Sequence, residues 1–141
     1  MAGDTEKSPL ECIAEILAAH GVEFIVVGGQ AEILLGSPRI TYDIDLCYRR
    51  TKENLKRFAA ALREINPTLR NAPPDLPFII DEQSLALGNN FTFDTPFGPV
   101  DFLGYLEPIG DFDAIAKRAF TARVGNCELR GIHLDDLIAI K

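Results

Sequence analysis

The strongest constraint on the fold is a short apolar run, Phe24–Val27, that is followed directly by two glycines. The run reads FIVV, so it contains no polar residue that would mark a solvent-exposed face. Continuous β-branched runs of this length are typical of strands that are covered on both faces. We therefore expect a sheet with this strand near its centre.

Helical patterns lie on both sides of this strand along the chain. Ser8, Pro9 and Glu11 form a capping-box pattern at the start of a first helix. A short second helix is predicted to begin at Gln30 and to end at Gly36. A third begins after Thr51, which has the residue type expected of an N-cap.

The remainder of the chain favours antiparallel pairing. Residues 89–105 and 121–132 predict two β-hairpins, separated by a helix over 112–120 and followed by a last helix from 133. Residues 39–50 predict a second strand, 78–80 a short strand, and the prolines within 71–77 a loop. The expected fold class is α+β, or mixed α/β, with a mixed central sheet and helices packed mainly on one side.

Composition limits the class of protein. A chain of 141 residues with 47% hydrophobic and 25% charged residues is typical of one globular domain. Its net charge of −7 argues against a dedicated nucleic-acid binder. Three scattered cysteines indicate reduced thiols, and two histidines make a zinc site of the usual spacing improbable. Without a signal peptide or a membrane-length apolar run, we expect a cytoplasmic protein with no membrane partner.

The second predicted strand contains two aspartates, Asp43 and Asp45, with only Ile44 between them. Residues two apart in a strand point to the same face, so the two carboxylates would lie side by side. Close carboxylates repel each other unless a cation or a proton intervenes. The pair is therefore either solvated at a strand end or holds a metal ion.

Two further features bear on that choice. Gly28 and Gly29 stand between the buried strand and a helix, where glycines let the backbone approach an anionic ligand, although a tight turn without a ligand needs them equally. Asp101 lies between two apolar residues, so it either needs a partner or caps the hairpin turn. If all three carboxylates converge near the glycines, they form a hard-oxygen site for Mg²⁺ and a nucleoside triphosphate.

This pattern resembles the signature of the DNA polymerase-beta-type nucleotidyltransferase superfamily: a hydrophobic residue, Gly, Gly or Ser, a gap, then Asp-hydrophobic-Asp-hydrophobic. It is more closely similar to the minimal nucleotidyltransferases of toxin–antitoxin and abortive-infection systems. The resemblance covers residues 22–48 closely and 90–103 loosely. The matching residues are Gly28, Gly29, Ala31, Gly36, Arg39, Thr41, Asp43 and Asp45.

The resemblance implies a nucleotidyltransferase fold and the transfer of a nucleoside monophosphate from a triphosphate such as ATP to a hydroxyl. The acceptor would be an RNA end such as that of tRNA, a protein or a small molecule, and a toxin role would imply a cognate antitoxin. Asp43 and Asp45 would bind Mg²⁺ or Mn²⁺. Asp101 would be the third carboxylate and metal ligand, and would align or deprotonate the acceptor hydroxyl.

The resemblance also implies a set of nucleotide-binding residues: Gly28, Gly29, Gln30, Arg39, Thr41 and Lys141. Gln30 departs from the family pattern, because many members have Ser or Thr at or just after the second glycine. An amide would then replace a hydroxyl as the phosphate donor. The implied domain organisation is a flexible tail over 1–7, a nucleotidyltransferase domain over 8–133, and over 134–141 the start of a C-terminal helical region that the sequence leaves unfinished.

Two rival functions fit the same residues. A nucleotidyltransferase fold with weak or no catalysis, binding a nucleotide or a partner protein, would agree with Gln30 and with the acidic net charge. A sugar-nucleotide glycosyltransferase could use Asp43 and Asp45 as its metal motif, but it would leave Asp101 unused.

A basic segment interrupts the acidic chain, with five Lys or Arg residues within 49–57. Charge runs usually form a solvated helix face. The alternative is a landing surface for a polyanionic acceptor such as tRNA. Because Arg49 and Arg50 follow the predicted aspartate strand directly, that alternative places them near the proposed metals.

Overall fold

A computed structural model describes residues 7–38, 43–70 and 80–140 of the chain. The helices α1 to α6 are Pro9–Ala19, Gly28–Leu34, Lys52–Ile65, Glu82–Leu87, Phe112–Ala116 and Leu134–Ile140. The strands β1 to β9 are Phe24–Val27, Ile44–Tyr48, Thr68–Leu69, Asn90–Thr95, Gly98–Leu103, Tyr105–Leu106, Gly110–Asp111, Phe120–Val124 and Cys127–Gly131.

The strands form a mixed sheet, which confirms the predicted fold class. Seven strands lie in the order β3-β4-β5-β2-β1-β9-β8. The pairs β2–β5 and β1–β9 are parallel, and the other neighbouring pairs are antiparallel. Strands β6 and β7 form a small separate sheet.

The centre of the large sheet is covered on both faces. All four residues of β1 are buried, as its continuous apolar run predicts. In β2 the consecutive residues Leu46, Cys47 and Tyr48 are also buried. Because side chains alternate between the faces of a strand, consecutive buried residues require a covered surface on both sides.

The two faces of the β4–β5 hairpin differ in polarity. Phe91, Phe93 and Phe102 are buried, and Phe102 packs against Phe58 of α3 with ring centroids 4.6 Å apart. Alternation places Asp101, the neighbour of Phe102, on the face turned away from α3. Asp101 is only partly buried there. The polar face of the hairpin is therefore the one opposite the aromatic core.

The sequence signals at the helix ends agree with the structure in two helices. The Ser8 hydroxyl accepts a hydrogen bond from the Glu11 backbone N–H, and the Thr51 hydroxyl accepts one from the Asn54 N–H. Both hairpins also form, with turns at 96–97 and 125–126.

Several elements differ from the expectation, among them β3 and the β6–β7 pair, which were not expected. Helix α2 begins at Gly28 rather than at Gln30, so the glycine pair is its first turn. Strand β2 begins only at Ile44, so Asp43 lies one residue before it. Helix α4 was not expected, although Asp81 caps it by accepting a hydrogen bond from the Ser84 N–H.

Several predictions fall on residues that the structure does not describe. These are the tail over 1–6, the first part of the second strand over 39–42, the proline loop and most of the short strand within 71–79, and the last residue, 141. Within the described ranges, no helix combines the length and the apolar character that a bilayer span requires.

Candidate active site

Two of the three predicted carboxylates meet on one face of the sheet. The parallel register of β2 and β5 pairs Asp45 with Asp101. Paired residues of neighbouring strands project to the same side, so the two side chains are adjacent. Their carboxyl groups are hydrogen-bonded to each other. Strand parity predicts Asp43 beside Asp45, whereas the structure places Asp101 there, the residue whose apolar neighbours indicate that it needs a partner.

Asp45 is in an environment that disfavours its charged form. Burial, and then the hydrogen bond to Asp101 and the negative charges of Asp101 and Asp43, raise the pKa of Asp45 to about 6. A hydrogen bond between two carboxyl groups requires one proton, so the pair shares a proton below about pH 6 when no cation is present. The site therefore favours a positive charge beside Asp45.

Gly28 is required by the position of Asp45. Its φ of +66° lies in the left-handed region that favours glycine. A Cβ atom at Gly28 would overlap Oδ2 of Asp45 and lie only 3.0 Å from its Cγ. The group that approaches this glycine is thus the Asp45 carboxylate, a role that the sequence pattern does not reveal.

Asp43 takes a different position from the pair. It is exposed and lies just outside β2, where its charge contributes to the raised pKa of Asp45. The Gln30 side-chain amide donates a hydrogen bond to the Asp43 carbonyl oxygen at 3.4 Å. Gln30 therefore joins the first turn of α2 to the residue that precedes β2.

A complete metal site is not assembled by the described residues. Within residues 7–38, 43–70 and 80–140, no group of three or more His, Cys, Asp or Glu side chains is placed so that it could hold a metal ion. Three expected nucleotide-binding residues, Arg39, Thr41 and Lys141, lie outside the described residues. The metal-binding and nucleotide-binding roles stay predictions.

The basic segment lies at the other end of β2, so its expected closeness to the aspartates is wrong. Asp43 precedes the strand, whereas Arg49 and Arg50 follow it. From Asp43 to Arg49 the chain advances by six residues, which corresponds to about 20 Å in an extended strand.

Both arginines at that end are engaged in structural contacts. Arg49 forms ion pairs with Glu23 at 2.9 Å and with Asp113 at 3.2 Å. Arg50 donates hydrogen bonds to the backbone carbonyls of Ala86 and Gly88 at the end of α4. Neither side chain is simply solvated, and both hold neighbouring elements together.

Comparison with solved structures shows a similarity in fold. No protein-family model and no curated protein matches the chain. The crystal structure of a Thermotoga maritima protein, provisionally named a nucleotidyltransferase, is similar over 98% of this chain and 86% of its own, with a TM-score of 0.59 and 14% sequence identity. This chain therefore has the same mixed α/β fold as that Thermotoga maritima protein.

Proposed function

We propose that this protein is a metal-dependent nucleotidyltransferase that moves a nucleoside monophosphate from a nucleoside triphosphate, such as ATP, to a hydroxyl acceptor in the cytoplasm. The observation that carries the proposal is the hydrogen-bonded pair Asp45–Asp101 on neighbouring parallel strands, set against Gly28 at the start of α2. The similarity in fold to a protein provisionally named a nucleotidyltransferase supports it.

The donor set is chemically suited to Mg²⁺ or Mn²⁺. Both ions prefer oxygen ligands, and they commonly bind to a few carboxylates together with substrate phosphates. Asp45 and Asp101 would hold the ion in place of the proton that they share, and Asp43 would supply a further carboxylate. When bound, the ion supplies electrostatic stabilisation of the negative charge that develops on the transferring phosphoryl group.

The chain's own residues have separate tasks in this proposal. The Gly28–Gly29 turn exposes backbone to the triphosphate, and Arg39, Thr41 and Lys141 add polar contacts to the donor. Gln30 contributes a side-chain amide, which also donates a hydrogen bond to the backbone carbonyl of Asp43. Asp101 orients the acceptor hydroxyl and accepts its proton.

Pyrophosphate release from each of the four nucleoside triphosphates tests the proposal, with Mg²⁺ or Mn²⁺ and a mixture of RNA, protein and small hydroxyl acceptors. The wild-type chain should release pyrophosphate only when a metal ion is present, and Asp45→Asn should not. Arg57→Ala is a matched control, since Arg57 is exposed and pairs with Glu53 on the same helix α3. Equal release by wild type and Asp45→Asn would contradict the proposal.

A second candidate is a nucleotide- or protein-binding module of the same fold with weak catalysis. Two observations favour it: the Gln30 amide is directed at a backbone carbonyl, and the described residues do not form a three-ligand metal group. Calorimetry with a non-hydrolysable triphosphate separates the two candidates. Binding without pyrophosphate release in any condition would support the module.

A toxin role with a cognate antitoxin rests on the resemblance of residues 22–48 alone. Induced expression in a bacterial host tests it, with Asp45→Asn as the matched inactive variant. Growth arrest by the wild type but not by the variant would support a toxin, whereas unimpaired growth with both would contradict it.

A further inference from the structure

A row of polar side chains extends from the carboxylate pair across the sheet. The register pairs Asp45 with Asp101, and Asp101 with Thr92 of β4. Arg70, which directly follows β3, donates its backbone N–H to the Thr92 carbonyl at 2.9 Å and continues the row. Since neighbouring strands are about 4.8 Å apart, Thr92 stands next to Asp101, and Arg70 begins about 10 Å from it.

This row lies on the open face of the hairpin. Thr92 is partly buried, whereas its neighbours Phe91 and Phe93 are buried on the opposite face against the aromatic core. Beyond Thr92, the side chains of Arg70 and Asp94 are 44% and 50% exposed. A long substrate could therefore lie along the row with one end at Asp101.

The groups of the row can exchange their present contacts for a ligand. Among the described residues, the Thr92 hydroxyl has no hydrogen-bond partner. Arg70 contacts Asp94 through Nε and Nη2, both at 3.2 Å. A solvent-exposed pair of this kind contributes at most about 1 kcal/mol, so a phosphate can compete for the guanidinium.

We propose that Thr92 and Arg70 bind the acceptor, and that the acceptor carries a phosphate near its reacting hydroxyl. This inference rests on the proposed nucleotidyl transfer. The acceptor hydroxyl lies between Thr92 and Asp101, while its phosphate contacts Arg70. The acceptor oxygen forms a bond to the α-phosphorus, the bond from that phosphorus to pyrophosphate breaks, and the hydroxyl proton passes to Asp101.

The position of Arg70 distinguishes it from the other cations considered. Arg49 and Arg50 lie at the far end of β2 and hold Glu23, Asp113 and the end of α4. Arg70 is in the same cross-strand row as Asp101, and its ion-pair partner among the described residues is an exposed carboxylate. An anionic acceptor is therefore bound despite the net charge of −7, because one local cation meets its phosphate.

The test compares phosphate-bearing acceptors with their phosphate-free counterparts. For a polynucleotide end, transfer to a diribonucleoside monophosphate is compared with transfer to adenosine. For a small-molecule acceptor, transfer to glycerol 3-phosphate is compared with transfer to glycerol. The variants are Arg70→Gln, Arg70→Lys, Asp94→Asn and Thr92→Val, and Arg123→Gln is the control, since Arg123 is an exposed arginine on the opposite edge strand β8.

We expect Arg70→Gln to lower kcat/KM at least tenfold for the preferred phosphate-bearing acceptor and to leave its phosphate-free counterpart unchanged. Arg70→Lys should retain most of the activity, and Asp94→Asn should raise it several-fold because it releases the guanidinium. Thr92→Val should lower kcat for both members of the pair without changing the KM for the donor triphosphate. The acceptor pair for which Arg70→Gln lowers kcat/KM more shows whether the phosphate belongs to a polynucleotide or to a small molecule.

Two kinds of negative result have different meanings. If the wild type transfers to phosphate-bearing and phosphate-free acceptors equally well, or if Arg70→Gln acts no more strongly than Arg123→Gln, the acceptor site is wrong and the proposed transferase stands. If the wild type releases no pyrophosphate with any acceptor, the proposed function fails, and this inference fails with it.

Discussion

The two ends of strand β2 differ in how their polar side chains are paired. At the end that leads to Arg49, the side chains of Asn54 and Tyr48 have hydrogen-bonding partners. Buried Asn54 accepts a hydrogen bond from the Glu23 N–H at 2.7 Å and donates to the carbonyls of Glu23 and Arg49 at 3.2 and 2.7 Å. The Tyr48 hydroxyl donates to a backbone carbonyl at 2.7 Å, and the buried Nε of Arg49 is left without a partner among the described residues.

The opposite end of β2 crowds like charges. Asp45 is partly buried beside Asp101, with Asp43 near it, and its pKa is raised to about 6. In the absence of a cation, this arrangement lowers stability, because an ionised Asp45 is both desolvated and repelled. The contrast indicates that one end of the strand contributes to the folding free energy, whereas the other lowers stability at the site for which we propose a bound cation.

Removal of one charge at the crowded end should give the largest effect. Asp45→Asn keeps the shape of the side chain, and we expect nucleotidyl transfer to fall by at least about 100-fold, since the metal's electrostatic contribution is worth several kcal/mol. In metal-free buffer the melting temperature should stay constant or rise, because repulsion with Asp101 is relieved. Calorimetry and turnover measured together check this, and a marked loss of stability would mean that Asp45 is a structural hydrogen-bonding residue instead.

Removal of the Asn54 side chain at the Arg49 end of β2 should lower stability and leave activity unchanged. Asn54→Leu has a similar volume but removes the side-chain partner of the Glu23 N–H and of the Arg49 carbonyl, while the Glu23 carbonyl keeps only the Arg49 N–H at 3.3 Å, so we expect the free energy of unfolding to fall by about 3 kcal/mol. Urea titration measures this loss, and Arg57→Ala on the exposed side of α3 serves as the control. Transfer activity per folded molecule should be unchanged; an equal loss of activity would show that the two ends are coupled.

Much of the fold follows from local patterns in the sequence. The run Phe24–Val27, the caps Ser8 and Thr51, and the alternation in the β4–β5 hairpin each have one dominant physical cause. Helix α4 is less evident, because it is short and its main signal is the cap at Asp81. The start of α2 differs by two residues because Gly28 enters the helix with a left-handed φ of its own.

The carboxylate pair is predictable only in part. Strand parity and the apolar neighbours of Asp101 indicate the side of the sheet, but the parallel register that joins β2 to β5 is a long-range pairing. The same limit explains the misplaced arginines. Proximity in sequence suggests proximity in space, yet an extended strand carries Arg49 away from Asp43 by about 3.3 Å per residue.

The packing of Asp45 on Gly28 gives a smaller but sharper test of the crowded end. Gly28→Ala places a Cβ against the carboxylate at a φ of +66°, so we expect a stability loss of about 2 kcal/mol together with reduced transfer. Gly36→Ala is the matched control, because Gly36 also has a positive φ of +101° but has nothing within 4 Å of its Cβ position. Unfolding and turnover of both variants check this; if they lose activity equally, the overlap with Asp45 has no functional consequence.

The pH dependence of stability should reveal the same crowding with the smallest effect. Because the pKa of Asp45 is raised from 3.8 to about 6 on folding, the folded state binds its proton more tightly than the unfolded state between these values. The contribution is therefore present at low pH and is lost as the pH rises through 6, by about 1 kcal/mol once solvent screening is allowed for. Urea titrations of metal-free wild type and Asp45→Asn from pH 4 to 7 measure how much more stability the wild type loses as the pH rises. This loss should vanish when Mg²⁺ replaces the proton. A difference that grows in the opposite direction with pH would show that Asp45 is stabilised as an anion, and the contrast between the two ends of β2 would then be lost.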